Sequence, residues 1–271
     1  MSRLHPARQA LVVVAVLASV AALAPLLAPY DPNALLADGA RVSMPPNAAH
    51  WLGTDTLSRD VLSRLLFGAR ISLGIAFLAV GLAVTLGTAV GATAALAGRW
   101  VDTLLMRCTD ALLAFPRILL LLLLVASLNS VSSVLLGVMI GATGWMTTAR
   151  LVRQETRRLL QTEHLKATIA IGLRRRHILV HHLLPGLAPT LVAAGTIALA
   201  AAIPLEAALS FLGLGVPTPQ ASWGNIINEA QGQLLLRWWL VVFPTLAIVG
   251  TVATLNIAAE RLLARQRERS P

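Results

Sequence analysis

Five long stretches without a charged residue constrain what this chain can fold into. No Asp, Glu, Lys or Arg occurs in the runs 9–30, 71–98, 118–149, 183–205 and 238–259. A helix of about 20 such residues crosses the hydrocarbon core of a bilayer. Because 56% of the 271 residues are hydrophobic and only 13% are charged, the chain predicts an all-α integral membrane protein.

The run 118–149 is too long for one crossing, because its 32 residues would form a helix of about 48 Å. Asn129 and Ser130, followed by two further serines, supply a turn that divides it into two helices. Six transmembrane helices are therefore predicted, over about 10–29, 72–97, 103–127, 131–150, 186–211 and 239–260. In the second helix, the spacing of Gly87 and Gly91 predicts close packing against another helix.

Basic residues lie between the apolar runs rather than on a separate domain. Of the 22 Lys and Arg residues, 17 lie in the N-terminus, the 98–117 turn, the segment 150–176 and the C-terminus. The positive-inside rule places these four regions in the cytoplasm. Both termini are then cytoplasmic, which requires an even number of crossings and supports six. The formal charge of +10 is therefore assigned to membrane topology and lipid contact rather than to nucleic acid.

The N-terminal apolar run resembles a signal peptide, but it is longer than the apolar region of one. A first helix that is retained in the protein is therefore predicted. The single cysteine, Cys108, excludes an intrachain disulfide and a cysteine-rich metal site.

The segment 150–185, which we call the elbow, is a polar and strongly basic interruption between apolar runs. Its pattern predicts a helix over 154–171, a stop at Gly172, and a second short helix over 174–184 before Pro185. A helix, turn, helix unit beneath the membrane would give a partner protein a surface on which to dock.

Two other readings of the elbow remain open from the residues alone. It could be a basic loop that only sets topology and meets anionic lipid. His177 and His181, at i and i+4 with His182 adjacent, could also present imidazoles to zinc, although no convincing third ligand is near.

Glu206 is the one carboxylate deep inside a predicted membrane helix. An intramembrane acid is a functional candidate because a charge in lipid is costly. Glu206 lies near the outer end of the fifth helix, so it either lines a transport pathway or is wetted or capped at that end.

The elbow resembles the coupling loop of permease subunits in binding-protein-dependent ABC importers. That loop has a Glu-Ala-Ala core, then a Gly, then His-x-Leu-Pro. Here the residues 163–172 are followed by His-Leu-Leu-Pro, but the core reads Lys166-Ala167-Thr168, which reverses the charge of the first position. The resemblance implies that the loop inserts into a groove on an ATP-hydrolysing subunit. The implied coupling residues are Glu163, Lys166, Ala167, Gly172, His182 and Pro185.

Three further stretches resemble the second permease, of the dipeptide permease C type, in the dipeptide, oligopeptide and nickel group. Residues 50–73 match its GTDxxGRDVxSRLxxGARxSL signature, with Ser58 where Gly is usual. Residues 206–224 resemble the end of that group's fifth helix and its outer loop, and 110–116 the start of its third helix. The likeness covers about 50–256, whereas the C-terminus departs from the family ending.

The resemblance implies an ABC type I importer permease fold and a subunit forming half of a peptide pathway in a bacterial inner membrane. Implied partners are a homologous permease, two ATP-binding subunits and an extracytoplasmic substrate-binding protein. No Walker A motif is possible because the only lysine, Lys166, follows Leu165. The chain is therefore expected to be no enzyme and to bind no cofactor, with ATP and Mg²⁺ on the partners. The alternatives are import of nickel or a metal chelate, an ATPase-independent secondary transporter or channel, and a membrane-embedded assembly protein with no transport role.

The expected organisation has three parts. An N-terminal helix and outer segment cover 1–71, a permease core covers 72–260, and a basic tail covers 261–271. The outer segments should face the substrate-binding protein, with Asp55, Asp60 and Trp223 as docking candidates, although simple capping of the pore is the other reading.

Overall fold

The computed structural model of the protein describes residues 6–34, 43–128, 131–171, 175–233 and 235–268. Apart from an isolated bridge between Thr54 and Asp60, every regular element in these ranges is helical. In chain order the elements are α1 Pro6–Leu27, α2 Val61–Leu96, α3 Arg99–Leu113, α4 Arg117–Ala126, α5 Ser133–Ala142, α6 Trp145–Leu160, α7 Glu163–Ala170, α8 Arg175–Ile178, a π-helical turn Leu179–Leu183, α9 Leu184–Phe211, α10 Trp223–Asn228 and α11 Trp239–Glu268.

Among the described residues, three continuous helices are long and apolar enough to cross a membrane: Val61–Leu96, Leu179–Phe211 and Trp239–Leu262. Two bent pairs meet the same criterion together, α3 with α4 at 78° and α5 with α6 at 42°. The N-terminal helix adds a shorter apolar stretch, Val12–Leu27. These elements occupy the positions of the six predicted crossings, and the all-α fold is confirmed.

The third and fourth predicted helices, 103–127 and 131–150, are each broken rather than continuous. The first break precedes Pro116, because a proline disfavours helical geometry in the residue before it and has no N–H to donate. The second break holds Thr143, whose hydroxyl donates to the Met139 carbonyl at 3.0 Å. Side chains of this kind compete for the helical backbone and bend it.

The second and the last helix change the predicted division of the chain. The second helix begins at Val61 rather than at 72, because the Asp60 carboxylate caps it and accepts the Ser63 N–H at 2.8 Å. The start was predicted too late because Arg64, in the first turn, lies outside the run without charged residues. The helix therefore crosses the boundary predicted at 71 and 72. The last helix continues to Glu268, so the tail predicted at 261–271 is helical over its described part.

The close packing predicted from Gly87 and Gly91 is confirmed. A Cβ at Gly87 would lie 2.6 Å from Thr148 Cβ, and one at Gly91 would collide with the Ala149 carbonyl oxygen. Both contacts join α2 to α6. A similar close contact joins α5 to α2, but here the glycine belongs to the partner helix of α2. A Cβ at Gly141 of α5 would lie 2.7 Å from the Ala79 carbonyl oxygen of α2. Backbones in contact at three places hold α2, α5 and α6 together.

A buried ion cluster fastens the start of α2 to the segment after α10. Asp55 accepts hydrogen bonds from Arg59 Nε at 2.7 Å and from Arg64. Glu229 accepts from Arg59 Nη2 at 3.0 Å and from Arg64 Nη2 at 2.7 Å. Arg64 is only 1% exposed. Two cations and two carboxylates balance in charge, which is the condition for burying such a group.

We call the residues 43–60 and 212–233 the cap. Its two parts meet over the same ends of α2, α9 and α11. The Trp223 indole donates to the Leu65 carbonyl at 3.1 Å, and the Trp239 indole donates to the Thr54 carbonyl at 3.0 Å. His50 Nδ1 lies 2.9 Å from the Asp60 carboxylate. The cap is thus fastened to the helix ends by buried polar contacts.

We expect Gly91→Ala to destabilise the protein and Gly81→Ala to leave it unchanged or more stable. A methyl group at 91 would collide with the Ala149 carbonyl, whereas nothing lies within 4 Å of one at 81. Overpacking costs about 1–3 kcal/mol, while Gly to Ala in an open helix gains up to about 1 kcal/mol. Melting temperatures of the two purified variants check this, and equal temperatures would contradict it.

Glu229→Gln should lower the unfolding free energy by about 3 kcal/mol, because it leaves two buried guanidinium groups facing one carboxylate. Glu260→Gln, at an exposed position, is the control and should change it by less than about 0.5 kcal/mol. Denaturant titration of both variants gives the comparison. Equal stability would show that the ion cluster does not hold the cap.

Candidate functional site

The elbow forms two helices where the sequence predicted one over 154–171. The last turns of α6 enter it, a short turn at Gln161 and Thr162 follows, and α7 runs over Glu163–Ala170. The Thr162 carbonyl accepts the Lys166 N–H at 3.0 Å, which starts the new helix. The direction of the chain therefore changes at Gln161 and Thr162, before the core motif.

A small apolar cluster fixes the elbow to the membrane helices. Leu165 of α7, Ile178 of α8 and Leu183 of the π-helical turn are buried together. Leu96 at the end of α2 and Leu159 at the end of α6 pack against them. A displacement of α7 therefore acts directly on the ends of α2, α6 and α9, because close-packed side chains transmit strain.

The outward face of α7 carries the candidate coupling residues. Glu163, Lys166 and Ala167 are exposed, together with Ala170 and the following Ile171. These positions recur at helical spacing and share one face, while Leu165 faces inward. Ile171 is 79% exposed, and its apolar side chain was not predicted as a coupling residue because it is not one of the motif letters. The helical spacing could have revealed it.

The reversed charge at Lys166 is balanced within the elbow. Lys166 Nζ lies 2.8 Å from Glu163 Oε1, three residues earlier on the same helix, and both side chains are exposed. The acid that the family pattern would have at 166 is thus absent, but the surface of α7 remains neutral at this point.

The arginines that precede α7 are paired with acids of the chain itself. Arg153 and Arg157 both contact Asp102 of α3. Arg150 lies 2.5 Å from Asp110, also on α3. These basic residues of the elbow therefore join α6 to α3 by ion pairs within the chain.

The break predicted before Pro185 is wrong. The π-helical turn Leu179–Leu183 leads directly into α9, and the Leu184 N–H donates to the Leu179 carbonyl, five residues back. Proline has no N–H, and its ring would crowd a carbonyl in a regular α-helix. The wider π-helical turn accommodates it. Pro185 is exposed, and the elbow continues without interruption into a membrane helix.

The remaining elbow candidates have different positions. Gly172 lies outside the described residues. His182 is half-buried, with its ring 5.6 Å from that of His164. The rings of His177 and His181 stack at 4.2 Å. Among the described residues, no group of three or more His, Cys, Asp or Glu side chains could hold a metal ion, so the zinc reading gains no support.

Glu206 is fully buried at the junction between α9 and the cap. The Ser210 hydroxyl donates to its carboxylate at 2.6 Å and accepts the Val216 N–H at 3.1 Å. A Cβ at Gly215 would collide with Ser210, and one at Gly224 would collide with Ala207. The structure places Glu206 in a packed junction, away from any open surface, and its role in a pathway stays a prediction.

The three docking candidates are also buried. Asp55 lies in the ion cluster, Asp60 caps α2, and Trp223 packs against α2. Their side chains hold the cap together, and docking through them stays a prediction. The exposed apolar residues of this end include Trp51, which is 72% exposed and was not among the predicted docking residues.

A cavity of about 460 Å³ lies beside α2, between α4, the α5–α6 break and α9. Its walls are mostly small and apolar. Arg117 is the one charged residue among those lining it, and in the sequence it stands out only as one of the basic residues of the 98–117 turn.

Comparison with known proteins agrees with this architecture. Residues 83–269 match the family described as binding-protein-dependent transport system inner membrane component. A putative peptide permease protein of Brucella suis is 38% identical over 88% of this chain and 78% of the relative. The glutathione transport system permease protein GsiD of Escherichia coli is 38% identical over 96% of this chain and 85% of the relative.

A solved structure shares the fold at lower sequence identity. The inward-facing methionine ABC transporter MetNI matches with a TM-score of 0.58 and 18% identity, covering 75% of this chain and 96% of that chain. The family match and the two relatives confirm the resemblance to permeases of binding-protein-dependent ABC importers. The chain belongs to the binding-protein-dependent transport system inner membrane components and is an ABC importer permease.

Proposed function

We propose that this permease forms half of a translocation pathway for peptides and couples it to ATP hydrolysis on partner subunits. The two faces of α7 support this most directly. Its outward face is exposed, and its inward face packs against the ends of α2 and α6 and the residues that lead into α9. The names of the relatives support the substrate class: one is called a peptide permease, and glutathione, named for the other, is itself a peptide.

The family implies partnership with an ATPase and a binding protein. We propose a complex of this chain with a homologous permease, two ATP-binding subunits and an extracytoplasmic substrate-binding protein. ATP and Mg²⁺ would bind the ATP-binding subunits, since this sequence has no Walker A motif. The distribution of basic residues supports a cytoplasmic elbow and cytoplasmic termini, with the cap on the outer side.

The mechanism follows from how the elbow is fastened. When the ATP-binding subunits close, a groove holding α7 carries the elbow with it. The buried leucines then pass this displacement to α2, α6 and α9, which switch the cavity between outward and inward access. Neither nickel import nor an ATPase-independent mechanism has a specific observation in its favour.

Ile171→Asp should reduce both copurification of the ATP-binding subunits and peptide uptake by about tenfold or more. An acid on an apolar docking surface loses apolar contact and adds a desolvation cost. Trp51→Asp is the control, since it also replaces an exposed apolar side chain by an acid, but in the cap. It should retain the ATP-binding subunits. Full recovery of these subunits with Ile171→Asp would remove the proposed docking face.

Lys166→Glu should leave assembly and uptake within about twofold of the wild type. Surface ion pairs of this type contribute about 0.3–0.5 kcal/mol, and apolar contact rather than charge is expected to hold α7. The exchanged pair Glu163→Lys with Lys166→Glu serves as the control that restores neutrality. If the single variant assembles normally yet loses uptake, and the exchanged pair does not recover it, the partner's groove requires a cation at 166.

A further inference from the structure

The cavity beside α2 combines one cation with mostly apolar walls, to which Thr147 and Thr148 add two hydroxyl groups. Ala83, Ala198 and Ala201 contribute methyl groups, and Gly144 contributes bare backbone. At about 460 Å³ the cavity falls in the range of small-molecule sites. Such walls can enclose a ligand of variable shape, but they offer it few directed polar contacts.

Arg117 supplies the directed contact in this cavity. Its Nη2 donates to the Ile140 carbonyl at 2.5 Å, and its Nε lies 3.4 Å from Thr143 Oγ1. Among the described residues no Asp or Glu pairs with it, in contrast to Arg64 and Arg153. A guanidinium has five N–H donors, so these two contacts leave donors available to a ligand.

The position of Arg117 makes an unpaired cation costly. It begins α4, which forms a candidate membrane span together with α3, and it contacts Ile140 and Thr143 near the break in the second bent pair. A cation within such spans without an acid beside it is expensive and marks a substrate or ion pathway more often than a structural position.

Both helix breaks of the membrane region lie next to this guanidinium. One precedes Arg117 at Pro116, and the other lies at Thr143 and Gly144, where α5 gives way to α6. Irregular backbone at membrane depth is tolerated where it lines a cavity, and broken helices commonly form binding sites. A Cβ at Gly144 would lie 2.7 Å from Arg117 Nη2, so the glycine makes room for the side chain.

We propose that Arg117 binds the carboxylate of the transported peptide in this cavity. The inference rests on the proposed function and deepens it. Guanidinium and carboxylate form strong, often bidentate hydrogen bonds. Peptides of different sequence share a terminal carboxylate, so one arginine among small apolar walls recognises the shared group and tolerates varied side chains.

The test measures binding to the solubilised four-subunit complex without the substrate-binding protein, which would otherwise impose its own selectivity. The probes are trialanine and its C-terminal amide, compared by equilibrium dialysis. The wild type should bind trialanine at least about tenfold more tightly than the amide, since charge-assisted hydrogen bonds contribute on this scale. Arg117→Gln should lose that preference through weaker binding of the acid alone.

Three further variants separate recognition from support of the fold. Arg117→Lys should keep part of the preference, and Gly144→Ala should reduce it because the added methyl group displaces the guanidinium. If Arg117→Gln fails to assemble, these two variants carry the test. Arg150→Gln removes an exposed arginine outside the cavity lining and should change neither affinity.

Two results would overturn the inference. One is that Arg117→Gln and Gly144→Ala weaken the binding of trialanine and of its amide equally. Arg117 would then only stabilise the contact between α4 and α5. The other is wild-type complex that binds neither probe. In that case, uptake of trialanine by wild-type proteoliposomes supplied with the binding protein would leave the importer function standing. Absence of that uptake would overturn both proposals.

Discussion

Contact between helix backbones is the constraint on which this permease depends. Lipid gives membrane helices no hydrophobic reason to associate, so they are held by close packing and polar contacts. Here α2 is packed against α6 at Gly87 and Gly91 and against α5 at Gly141. Because these three helices are fixed in register, the α5–α6 break has a defined place opposite α4, and a cavity can persist between them.

Polar contacts complete the arrangement at both ends of the bundle. At one end the ion cluster of Arg64, Asp55 and Glu229 fastens the cap. At the other end Asp102 joins the arginines of α6 to α3. The charged residues that interrupt the apolar runs therefore act largely within the chain. Their value as free surfaces for partners is correspondingly small, and the exposed apolar Ile171 becomes the more informative docking residue.

The helix positions and the family could be inferred from the sequence because apolar run length and motif letters are local properties. Helix ends and breaks could not. Arg64 was assigned to a loop because its partner Glu229, which allows it to be buried, lies 165 residues away. Pro185 was predicted to end a helix because no residue pattern marks a π-helical turn. Asp55 and Trp223 were predicted to be exposed, because a motif match does not indicate whether a side chain is buried. Arg117 escaped notice because only the fold brings two helix breaks beside it.

The continuous helix from the elbow to the buried Glu206 has a mechanical consequence. The stretch Leu179–Phe211 has 33 residues, which corresponds to about 50 Å. Its lower end belongs to the leucine cluster of the elbow, and its upper end is clamped by Ser210 against the cap. Such an element works as a lever: each degree of tilt shifts one end relative to the other by about 0.9 Å at this length. A small rotation at the elbow thus becomes an ångström-scale movement where the helix meets the cap, without any helix having to bend.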